Sequence, residues 1–158
     1  MAEPAGWISL LEGDFVAAER EFRRGIELLN AMGERTRRST LTYWLAETAY
    51  QQGRFDEAEG LAATAEELAQ EELPGIRAKV LARRGRLAEA EAAARRSVEL
   101  ARSYKGLFTI WLLDAAEVFL RAGLNEEAVN ATEEALATFE RSDNRVMAER
   151  ARAGLASL

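Results

Sequence analysis

The side chains able to do chemistry in this 158-residue chain are carboxylates, arginines, hydroxyls and two lysines (Lys79 and Lys105), since it has no histidine and no cysteine. That inventory excludes disulfides, thiolate nucleophiles, Cys/His zinc sites and every Ser-His-Asp arrangement. Carboxylates such as Glu47 and Glu117 are what remains for acid–base or metal chemistry. Neither has a histidine or a second clustered carboxylate pair to work with, so no catalytic residue, metal site or cofactor is expected. No G-x-x-x-x-G-K-[ST] loop is present to cradle a nucleotide. The chain reads as a binding protein and not as an enzyme.

The densest cationic run is Arg77, Lys79, Arg83, Arg84, Arg86, Arg95 and Arg96. It has two readings: a dock for an acidic partner or phosphate, or a solvated face with intrahelical pairs to residues such as Glu89 and Glu91. Glu66, Glu67, Glu71 and Glu72 read as a solvated helix end. A net charge of −6 argues against nucleic-acid binding, which needs a basic surface. No secretory leader pattern is visible, and no apolar run approaches the roughly 20 residues of a membrane span. The expectation is a cytoplasmic protein without membrane contact. The preference for Arg over Lys, with abundant Ala, is the composition of a GC-rich bacterial genome.

The elements that position these residues read as helices. Only Pro4 and Pro74 interrupt the chain, and Ala, Glu, Leu and Arg dominate it. Four segments repeat one pattern: Gly13-Asp14-Phe15-Val16-Ala17-Ala18, Gly53-Arg54-Phe55-Asp56-Glu57-Ala58, Gly85-Arg86-Leu87-Ala88-Glu89-Ala90 and Gly123-Leu124-Asn125-Glu126-Glu127-Ala128. The glycines recur at intervals of 40, 32 and 38 residues. Glycine ends one helix in a left-handed conformation, the bulky residue two positions on plugs the angle between paired helices, and the alanine three further on lets them approach. Apolar residues continue at helical spacing behind each alanine, as in Ala18, Phe22, Ile26 and Leu29. The spacing predicts nine helices over 4–12, 15–32, 37–52, 55–72, 75–84, 87–104, 107–122, 125–141 and 144–157. Turns are expected at Gly33, at Pro74-Gly75, near Tyr104 to Gly106, and at Ser142-Asp143-Asn144. No linker separates the units, so residues 1–158 read as one domain.

A helical unit recurring near a period of about 34 residues resembles the tetratricopeptide repeat. The stretches "GDFVAAEREFRRGIELLNAMGE", "LAETAYQQGRFDEAEGLA", "IRAKVLARRGRLAEAEAAARRSVELA" and "AEVFLRAGLNEEA" are similar to the C-terminal arrays of bacterial adenylate/guanylate cyclase-type regulators and large ATP-binding transcriptional regulators. Nothing matches a cyclase or ATPase catalytic segment, so the resemblance covers the helical array alone. It implies an all-α, right-handed α-solenoid of about four helix pairs (4–32, 37–72, 75–104 and 107–141) with a capping helix at 144–157. It also implies a protein–protein interaction module that holds a partner segment, or another domain of its parent chain, in a concave groove. A small-effector sensor and a structural homodimerising array are the alternatives.

In such a stack the first helix of each pair lines the groove. The repeat register places Trp7, Tyr43, Glu47, Tyr50, Gln51, Lys79, Arg83, Leu113, Glu117, Leu120 and Arg121 there. The clamp by which some family members hold acidic peptide termini is disfavoured, because Glu47, Lys79 and Glu117 stand where it needs Asn. Helix 107–122 leaves few polar positions around its circumference, so it is either covered on every side or offers its groove face as a protein-binding patch. Trp7, Ile8 and Leu11 crowd the first helix without a polar cap before it. Either a preceding repeat or a second copy covers them, or Trp7 and Leu11 fold down onto helices 15–32 and 37–52.

Overall fold

A computed structural model describes residues 2–104 and 108–157, and among these every regular element is an α-helix. There are nine: α1 (Ala2–Glu12), α2 (Phe15–Ala31), α3 (Arg35–Gln51), α4 (Phe55–Ala69), α5 (Pro74–Arg83), α6 (Leu87–Ser103), α7 (Ile110–Arg121), α8 (Asn125–Arg141) and α9 (Arg145–Ala156). The expected all-helical class and the positions of its helices are therefore found. The chain divides into two compact units, Met1–Ile76 and Arg77–Leu158.

Glycine chemistry explains the helix ends. At Gly13 the backbone is left-handed (φ 79°), its N–H donates to the Leu10 carbonyl and the following Asp14 N–H to the Ser9 carbonyl. This paired closure caps the last carbonyls of α1, and glycine adopts it without a Cβ penalty. The same two bonds recur after α3 at Gly53, after α5 at Gly85 and after α7 at Gly123. The next helices then begin at once. Asp14 and Asn144 cap α2 and α9 by accepting from the Ala17 and Met147 amides. Asp56, Glu57, Glu126 and Glu127 occupy first turns, where the helix dipole favours negative charge.

Most boundaries fall within two residues of expectation, and three departures have a specific cause. Pro74 and Gly75 form no turn but open α5, since proline suits a first helical position whose N–H would have no partner anyway. Helix α4 stops at Ala69 because Gln70 turns left-handed (φ 60°), and the Glu66 carboxylate then takes the Leu73 amide. Helix α7 begins at Ile110, with Phe108 and Thr109 in a turn. The expected turn at Tyr104 is present, while Lys105, Gly106 and Leu107 lie outside the described residues.

In the first unit α1 packs on α2, α2 on α3 and α3 on α4. Its core joins Leu10, Ala18, Phe22, Leu41 and Leu45, with Trp7, Phe15, Ile26, Leu29, Trp44 and Leu61 against it. In the second, α6 packs on α7, α7 on α8 and α8 on α9, and Trp111, Leu112, Val118, Phe119, Phe139 and Met147 are buried. The alanines of the repeated pattern (Ala18, Ala58, Ala90 and Ala128) are all completely buried, as helix pairs in close approach require.

Candidate interaction surface

The charged side chains of each unit join alternate helices. In the first unit Arg23 of α2 bonds Glu57 of α4 at 2.9 Å, while Arg54, just before α4, reaches back to Glu19 of α2 at 2.5 Å. In the second, Arg83 of α5 pairs with Glu117 of α7 at 3.4 Å. Arg95 and Arg102 of α6 pair with Glu127 and Glu134 of α8 at 3.4 and 2.7 Å. These partners stand 34, 35, 34, 32 and 32 residues apart in the sequence. Burial would raise the Glu19 carboxyl, but hydrogen bonds and charge from Arg23 and Arg54 outweigh it and hold the group below the usual carboxylate range. Hydrogen bonding to Glu134 raises the Arg102 guanidinium further.

Of the residues expected to line a groove, those of the first unit sit on α1 and α3. Trp7 is half-buried with its ring 4.2 Å from that of Trp44, against which Tyr43 stands edge-on. Tyr43, Glu47 and Tyr50 are buried, and exposed Gln51 donates from Nε2 to Glu47 Oε1 at 2.7 Å. Trp7 therefore lies down on α3, Leu11 is half-buried, and Ile8 is the member of the N-terminal trio left 53 % exposed.

In the second unit Lys79 is 2 % exposed and its Nζ lies 2.8 Å from Asp114 Oδ1. A few residues along, Glu117 faces both Arg83 and, at 3.6 Å, Arg121. Leu113 is half-buried beside them and Leu120 is 41 % exposed. The second unit thus brings Arg83, Glu117 and Arg121 together and buries Lys79 away from any surface. Helix α7 is covered around Trp111, Leu112, Ala115, Val118 and Phe119 but open along Leu113, Glu117 and Leu120. Sequence reasoning passed over Asp114 and Trp44. A lone carboxylate within the apolar run from Ile110 to Leu120 was the available signal for the first, because an ionised group there requires a partner.

The cationic run is largely neutralised locally. Arg86 pairs with Glu89, Arg95 with Glu91, and Arg96 with Glu99. Among the described residues no group of three or more carboxylates could hold a metal ion, and no helix is long and apolar enough to cross a membrane. Crevices of the second unit, such as that between Arg102, Thr109, Glu134, Thr138 and Arg141, are open and polar. Comparison of the sequence with protein-family models and with curated proteins returns no match.

Proposed function

We propose that this chain is a tetratricopeptide-like array of stacked helix pairs that holds a protein or peptide partner against the outer faces of its odd-numbered helices, within a bacterial signalling or transcriptional regulator. The observation that carries the reading is the recurrence of ion pairs between alternate helices at separations of 32 to 35 residues. A unit of about 34 residues that stacks on copies of itself brings equivalent positions side by side at that interval. The glycine closure after α1, α3, α5 and α7, each followed five residues on by a fully buried alanine, supports the same unit.

The faces available for binding carry the mixture that peptide recognition uses, apolar anchors beside a few charges. The first unit offers Trp7 and Trp44, and the second offers Leu113 and Leu120 beside Glu117 and Arg121. The inventory of side chains supports binding over catalysis, as argued above. Native mass spectrometry of the protein purified from its own cells tests the proposal. A retained polypeptide is expected, with its occupancy reduced by Leu113→Glu and Leu120→Glu. A retained small molecule in its place, no retained mass, or full retention by both variants would overturn the reading.

A further inference from the structure

Helix α2 has one flank that its own unit covers only in part. Ala18, Phe22 and Gly25 face inward and are buried, while Glu19 and Arg23 turn toward Arg54 and Glu57. At 100° per residue, positions 17, 21, 24 and 28 fall within about 60° of one another on the opposite flank. Ala17 and Glu21 are half-buried there, Arg24 is exposed, and Leu28 is 55 % exposed. Among the described residues Glu21 forms an ion pair with its exposed neighbour Arg20 at 3.3 Å, a pair easily exchanged for a better one.

The order of these residues reads as its own complement when reversed. Turned end for end about a point between residues 22 and 23, Glu21 falls opposite Arg24 and Ala17 opposite Leu28. We infer that α2 of one copy packs antiparallel against α2 of a second copy about a two-fold axis through this flank. A two-fold contact brings residue i against j and j against i, so each complementary pair is made twice. Two Glu21–Arg24 ion pairs lie at its centre, and a small Ala17 accepts a Leu28 at either end. Contact through this flank gives two chains of net charge −6 a place where opposite charges meet.

The register of the chain's own helices distinguishes this flank. Glu57 and Glu127 stand four residues after Gly53 and Gly123, and each receives an arginine of an earlier helix, Arg23 and Arg95. Four residues after Gly13 stands Ala17, which offers no such acceptor. The flank is made for a different neighbour from those that α4 and α8 receive.

Sedimentation velocity over a concentration series, with circular dichroism to verify unchanged helicity, tests this dimer independently of any groove partner. The wild type is expected to associate reversibly to a dimer. Glu21→Arg and Arg24→Glu each set like charges together twice and are expected to weaken association about tenfold or more. Mixing the two variants in equal amounts restores complementary pairs and is expected to give a heterodimer. A wild type that stays monomeric at every concentration would overturn the inference and leave the flank to another occupant. Single variants that associate like the wild type, or a mixture that stays monomeric, would overturn it equally.

Discussion

Gly6 of α1 lies so close to the ring of Phe22 in α2 that a Cβ added to it would stand 2.6 Å from Cε1 and 2.8 Å from Cδ1. Phe22 is completely buried in the core of the first unit, so its ring has nowhere to swing. Helix propensity alone favours Gly6→Ala by about 1 kcal/mol, whereas overpacking costs about 1–3 kcal/mol. The clash is expected to win, and Gly6→Ala should lower the urea midpoint. Adding Phe22→Leu should make the loss smaller than the sum of the two single effects. A raised midpoint for Gly6→Ala would show that the helices have room to part.

Lys79 and Asp114 form a buried ion pair, and the two changes that could remove it have opposite expected outcomes. Asp114→Ala takes from a buried ammonium the carboxylate 2.8 Å away and is expected to cost about 3–5 kcal/mol. Replacing both, as Lys79→Met with Asp114→Leu, removes the desolvation cost along with the attraction and should recover most of that loss. Chemical denaturation of the two variants checks this. A double variant as unstable as Asp114→Ala would mean that the pair is needed for a reason other than mutual charge compensation.

Much of the helical layout was legible because its punctuation is local. The glycine at each closure and the alanine five positions beyond it are fixed by backbone conformation and by interhelical distance, both of which leave a mark on residue type. A further column went unread. Gly6, Ala46, Ala78 and Ala116 each stand seven residues before a turn glycine, and all are small and buried. The smallest of them lies where the following helix carries Phe22; at the equivalent positions of the later helices stand Ala62, Ala94 and Thr132. The ion pairs were not legible, because which arginine meets which glutamate depends on neighbours some 32 to 35 residues away. The start of α5 was misread because Pro74-Gly75 is equally good turn chemistry and good helix-start chemistry, and only the packing around it decides.

Asp143 takes the left-handed closure (φ 54°) that glycine takes after α1, α3, α5 and α7, and its amide and that of Asn144 make the same two bonds. The conformation is strained for a residue with a Cβ, and the Asp143 side chain pairs with Arg145, both of them exposed. Asp143→Gly is therefore expected to stabilise the second unit by about 0.5–1 kcal/mol. Gly123→Ala is the reverse change: nothing lies within 4 Å of an added Cβ, so its expected cost of about 1 kcal/mol is purely conformational. Thermal melts of the two variants should move in opposite directions. A shift of the same sign in both would contradict the backbone explanation of the turns.

Glu19 makes the stability of the first unit depend on pH. Its carboxylate bonds Arg23 and Arg54, and these outweigh the effect of burial and hold its pKa below the ordinary 4.5. The folded state therefore holds that proton less tightly than the unfolded chain. The contribution is complete above the ordinary value and is lost as pH falls from there through the lower folded value. Glu19→Gln keeps the shape and removes the charge, and at neutral pH it is expected to cost about 0.5–1 kcal/mol, given the partial exposure of both arginines. The difference between wild type and variant should shrink as pH falls below about 4.5, and added salt should shrink it at neutral pH. Denaturation curves of both proteins across the acid range test this. A gap between them that persists undiminished in acid would show that the network acts through packing and not through charge.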